Sequence, residues 1–145
     1  MVGGGLAGTF DIAYAISFAA WRGMPPEKLL QLVASGLLGS AAYDGGWNTA
    51  LLGLGLHFLI SLAAAAVFYT VARRWLPVLR THPIEAGLAF GLGMFALMNF
   101  IVLPLSAFPH PVRFTALATG TNLASHLFLF GLPIALATRR ALGRG

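Results

Sequence analysis

Trp47-Asn48-Thr49-Ala50-Leu51-Leu52-Gly53-Leu54-Gly55-Leu56-His57-Phe58-Leu59-Ile60-Ser61-Leu62-Ala63-Ala64-Ala65-Ala66-Val67-Phe68-Tyr69-Thr70-Val71-Ala72, closed by Arg73-Arg74, is the stretch that decides the fold. It holds no Asp, Glu, Lys or Arg over more than the ~20 apolar residues a helix needs to cross a bilayer. Trp47 and Tyr69 stand near its ends, where an aromatic belt meets the headgroups. The stretch reads as a transmembrane helix.

Three further apolar runs flank it. Residues 2–21 are Gly-rich at their start and interrupted by Asp11, and Arg22-Gly23-Met24-Pro25-Pro26-Glu27-Lys28 ends them. Residues 84–106 follow the polar connection holding Pro77, Arg80 and Pro83, with Pro104 near their exit. After the turn Phe108-Pro109-His110-Pro111-Val112-Arg113, residues 114–138 run to Arg139 and Arg140. A fifth helical stretch, 29–43, is too short to span, so it is expected to be interfacial or re-entrant. Gln31, Ser35 and Gly39 recur on it at four-residue spacing, a narrow polar-and-small stripe, before Asp44-Gly45-Gly46 breaks the helix. The expected architecture is all-α: a single transmembrane domain, a four-helix bundle with one short extra helix between spans 1 and 2.

Composition agrees. Of 145 residues, 58% are hydrophobic and 9% charged, against about a quarter charged in soluble domains. The mean hydropathy is +0.82. These values exclude a disordered chain, a nucleic-acid-binding tail and a typical soluble enzyme. With no cysteine, thiolate metal sites and thiol catalysis are excluded too. The basic residues are scattered at helix ends, without the stripe that nucleic acid requires, so the expected partner is the lipid bilayer. Arg73, Arg74, Arg80, Arg139, Arg140 and Arg144 share one side, and Arg22, Lys28 and Arg113 the other. By the positive-inside rule both termini are expected in the cytoplasm. No Lys or Arg precedes Arg22 and Asp11 interrupts the first apolar run, which argues against a secretory leader.

Gly4-x-x-x-Gly8 and Gly87-x-x-x-Gly91 have the spacing that lets helix backbones approach closely. Packing within the chain is expected, with homodimerisation as the alternative. Gly3-x-Gly5-x-x-Gly8 matches a dinucleotide pattern by letters, but no strand precedes it. A faint repeat relates Gly5-Leu6-Ala7-Gly8 to Gly87-Leu88-Ala89-Phe90-Gly91. It also relates His57 before Arg73-Arg74 to His126 before Arg139-Arg140, as two hairpins about an axis along the membrane normal would.

Asp11, His57, Asn99, Asn122 and His126 lie inside apolar spans. At ~1.5 Å per residue, Asp11, His57, Asn99 and His126 each fall roughly 14–16 Å from the nearest outer boundary, one per helix and near the bilayer middle. An ionised Asp there costs about 2.5–3.5 kcal/mol on insertion scales. Asp11 is therefore expected to be protonated or paired with His57 or His126. Asn99 and Asn122 read first as interhelical glue; for Asp11 and the two histidines, glue and function stand level. The leading expectation is a non-enzymatic membrane protein whose mid-depth site binds or relays a proton, an ion or a small amphipathic molecule. No cofactor is expected on this reading. One alternative makes His57 and His126 axial ligands of a b-type haem, with Gly53, Gly55 and Gly120 leaving room for the ring and Arg22 and Arg113 meeting propionates. Another is an accessory or assembly subunit, with a homo-oligomer or a larger membrane protein as partner.

Ala7-Gly8-Thr9-Phe10-Asp11, Ala34-Ser35-Gly36-Leu37-Leu38-Gly39, Gly55-Leu56-His57-Phe58, the run Met98-Asn99-Phe100-Ile101-Val102-Leu103-Pro104-Leu105-Ser106 and Gly131-Leu132-Pro133-Ile134-Ala135-Leu136-Ala137 together resemble a family of small, uncharacterised four-span bacterial inner-membrane proteins, broadly YagU-like. The resemblance implies the same architecture in a bacterial cytoplasmic membrane. It brings no activity, substrate or cofactor.

Overall fold

The computed structural model describes residues 2–143, which contain helices and no strand. Helix α1 is Val2–Trp21, α2 Pro26–Leu38, α3 Gly46–Arg74, α4 Val78–Thr81, α5 Pro83–Leu105 and α6 Ala116–Leu142. Helices α1, α3, α5 and α6 are long and apolar enough to cross a membrane. The protein is a multi-pass, all-α four-helix bundle. Its outer surface carries Leu6, Phe10, Leu59, Val67, Leu92 and Phe100, all exposed, as suits helices solvated by lipid tails. The three tryptophans, Trp21, Trp47 and Trp75, sit at helix ends and are exposed as well. Arg144, counted above among the basic residues, lies outside the described residues.

The boundaries follow local chemistry. Pro26 occupies the first turn of α2, where its missing N–H costs nothing, so this helix starts earlier than residue 29. It ends at Gly39, whose φ of +62° suits glycine, and a 3-10 segment, Gly39–Asp44, completes the expected stretch. Helix α6 begins at Ala116 after its cap Thr115 and runs on to Leu142, with Arg139 and Arg140 in its last turn beside the negative end of the helix dipole.

Close packing rests on small residues. A Cβ at Gly4 would lie 2.9 Å from the Ala65 side chain on α3, and one at Gly8 3.0 Å from the Phe58 ring. In the second hairpin a Cβ at Gly87 would meet Leu132 Cα at 2.8 Å, and one at Gly91 would overlap the His126 carbonyl. Both Gly-x-x-x-Gly pairs are thus spent inside the chain and do not form a face for another copy. The geometry also repeats: in each hairpin the second glycine lies against the histidine region of the following span, Gly8 at His57-Phe58 and Gly91 at His126-Leu127.

The arginine-rich end is closed. Phe68 and Phe90 meet edge to face at 4.9 Å, above a core of Ala64, Ala65, Phe130, Ile134 and Ala135. Beyond that ring pair the α3 and α5 backbones stay apart. At the other end α2 fills the gap. Its Leu30 and Ala34 backbone lies directly on Gly53 of α3, Gln31 Nε2 donates to Gly46 O at 2.9 Å, and Ala107 N donates to Gly36 O at 3.0 Å. Gln31 and Ser35 are fully buried, so the polar stripe of α2 turns inward onto the bundle.

Candidate functional site

Prolines shape the helices that build the site. Pro104 and Pro133 lack an N–H and crowd the carbonyl four residues back. Before each of them the helix widens into π geometry, over Met98–Val102 in α5 and Ser125–Gly131 in α6. The amide of Leu103 bonds to Met98 O and that of Leu132 to Leu127 O, each five residues back. Such wide turns re-aim side chains and recur at functional sites. Asn99 lies in the first, and Ser125 and His126 in the second.

Asp11, His57, Asn99, Asn122 and His126 line one cavity of about 190 Å³, together with Val33 of α2 and the apolar side chains Met94 and Phe130. All five polar residues singled out in the sequence therefore meet at one place. Asn99 is buried and the other four are half-buried.

Their hydrogen bonds differ from expectation. Asp11 does not pair with a histidine: Ser125 Oγ donates to its Oδ1 at 2.6 Å. The reason is reach. His57 Nε2 lies 2.9 Å from Gly8 O and His126 Nδ1 3.0 Å from Asn122 O. Carbonyls only accept, so His57 Nε2 and His126 Nδ1 each donate, and an imidazole with one N–H has its other nitrogen as an acceptor. Asn99 is not interhelical glue: its Nδ2 donates to Phe95 O of its own helix at 2.9 Å. The Asn122 side chain has no hydrogen-bond partner among the described residues. Phe95 packs edge to face on His126 at 5.8 Å, and Phe58 on His57 at 5.6 Å, which fixes both rings.

A second cavity, about 470 Å³, opens toward the end that bears Arg22. Asp11, Ala15, Phe18 and Arg22 form one stripe of α1 along it, and Leu29, Leu32, Ala118 and Asn122 stand in the rest of its wall with Tyr14, Ala19 and Met24. Asp11 and Asn122 line both cavities. They stand where this vestibule on the Arg22 side adjoins the mid-depth pocket.

Of the three glycines expected to leave room for a haem ring, Gly53 is covered by the α2 backbone, while Gly55 and Gly120 are exposed with nothing within 4 Å of a Cβ. Among the described residues, no three His, Asp or Glu side chains cluster as a metal site.

Ser125 and Ser61 were not singled out from the sequence. Ser61 Oγ donates to Gly4 O at 2.6 Å and ties α3 to α1. The readable signal for Ser125 was Asn122-x-x-Ser125-His126, whose i, i+3, i+4 spacing puts all three on one helix face. Replacing Ser125 with alanine removes one interhelical bond and is expected to lower stability by ~0.6 kcal/mol, at most ~1.7, measured by unfolding in detergent. No change, or a loss of the fold, would contradict this role.

Comparison with protein-family models, curated proteins and solved structures gives no match.

Proposed function

We propose that this is a small, non-enzymatic protein of the bacterial cytoplasmic membrane, related to the YagU-like proteins, that takes up a proton at Asp11 from the outer side. Both termini then lie in the cytoplasm, and the Arg22 vestibule faces outward. One observation carries this reading: Asp11 lines both the vestibule and the mid-depth pocket. A proton entering past Arg22 meets this carboxylate first. His57 and His126 line the same pocket and offer imidazoles to share the proton.

The pocket is blind toward the cytoplasm, because Phe68, Phe130 and Ile134 fill that end. The resting structure therefore supports one-sided binding, with passage across requiring a second conformation. A homo-oligomer or a larger membrane protein is the natural partner for such a small chain.

Infrared difference spectra across a pH step test the site. Wild-type protein in oriented vesicles should show a protonated-carboxyl band that follows the pH of the outer side. Asp11→Asn should lose that band and keep its melting temperature. An identical band in Asp11→Asn would overturn the proposal.

A further inference from the structure

The mid-depth pocket has a second neighbour. An apolar recess of about 330 Å³ opens sideways where α3 and α5 part, floored by α2. Val33, Ile60, Met98 and Leu103 line both this recess and the polar pocket. The two spaces therefore adjoin across these side chains, an apolar arm beside a polar end, the composition of a ligand pocket. Leu56, Ile60, Met98 and Val102 of the spanning helices stand in the arm's wall, with Ser106 and Phe108 past the end of α5, so lipid hydrocarbon suits it.

The polar end limits the head group. No Lys or Arg lines it, so a phosphate or carboxylate head would be desolvated without a cation and beside the Asp11 carboxyl. The groups present suit a neutral hydroxyl instead. Each imidazole has one N–H spent on a carbonyl and one nitrogen left to accept. Asn122, whose side chain is unpartnered among the described residues, and Asn99, with one N–H engaged, have amide groups left to donate. We propose that this site binds a single-chain lipid alcohol, acyl or prenyl. Its tail lies between α3 and α5, and its hydroxyl reaches the Asn99–His126 end of the pocket. The assignment rests on the polar pocket of the proposed function but not on proton uptake by it.

The test uses a long-chain alcohol with a mid-chain diazirine, in phosphatidylcholine vesicles holding the full-length protein. Photolabel should concentrate on the recess faces of α2, α3 and α5, and unlabelled alcohol should compete it away where lysophospholipid does not. Gly36 lines the recess and has room for a Cβ, with no neighbour closer than Ser106 Oγ at 3.8 Å, so Gly36→Phe should place its ring in the arm. Labelling should fall about tenfold or more, since the ring excludes several methylenes. The Asp11 carboxyl band should persist in that variant. Even labelling of all lipid-facing helices, labelling unchanged in Gly36→Phe, or crosslinks from the recess to a second copy of the chain would each overturn the lipid assignment. Loss of the band's dependence on Asp11, with labelling intact, would instead overturn proton uptake and leave this site standing.

Discussion

Gly131→Ala is expected to destabilise the protein at or beyond the ~1–3 kcal/mol of ordinary overpacking. A Cβ there would overlap the Gly87 carbonyl and stand 2.7 Å from Gly91 N and 2.8 Å from Gly91 Cα. All of these are backbone atoms, so no side chain can swing aside. Helices α5 and α6 would have to separate along their seam, and the π segment that carries Ser125 and His126 would move with them. Gly91→Ala meets the same obstacle from the other side, with Leu127 Cα at 2.8 Å. Gly93→Ala is the control, because nothing lies within 4 Å of its Cβ. It should be neutral or stabilising by up to ~1 kcal/mol, as glycine is a poor helix former. Equilibrium unfolding in detergent compares the three. Gly131→Ala as stable as wild type would show that the two helices are not held at this distance.

Gly53→Ala should free α2 from the bundle. Its Cβ would overlap Leu30 O and lie 3.0 Å from Ala34 N, so the short helix must lift rather than repack. With it goes Val33, the one side chain α2 lends to the polar pocket. The chain has no cysteine, so a single Ser35→Cys reports without background from a position now fully buried. A penalty of ~1–3 kcal/mol raises the open fraction about five- to 150-fold. The rate of labelling by a membrane-impermeant maleimide should rise accordingly. An unchanged rate would mean that α2 is not held down through Gly53.

The architecture was legible because membrane helices announce themselves by length and apolarity, and the polar exceptions within them are few. Counting residues at a fixed rise brought Asp11, His57, Asn99 and His126 to one depth, and depth was enough to predict that they meet. Pairing was not legible. A histidine partner for Asp11 follows from charge, but the ring nitrogens reach Gly8 O and Asn122 O instead, and a serine hydroxyl takes the carboxylate. One hydroxyl in an apolar span is too common to stand out. In the sequence Pro104 marks a helix exit, and Pro133 carries no signal of a widened turn. Their effect is a widened turn upstream, which depends on how each helix resolves a missing N–H. The seat of α2 on Gly53 was hidden for another reason. Gly53 looks like any membrane glycine until the fold puts a backbone on it.

The sideways opening between α3 and α5 changes the meaning of concentration for this site. A guest entering there comes from the leaflet and not from water, so occupancy tracks its mole fraction among the lipids. Adding empty vesicles would dilute it at constant aqueous volume, whereas adding buffer would not. Affinities measured in micelles and in membranes can be compared only after conversion to that two-dimensional scale.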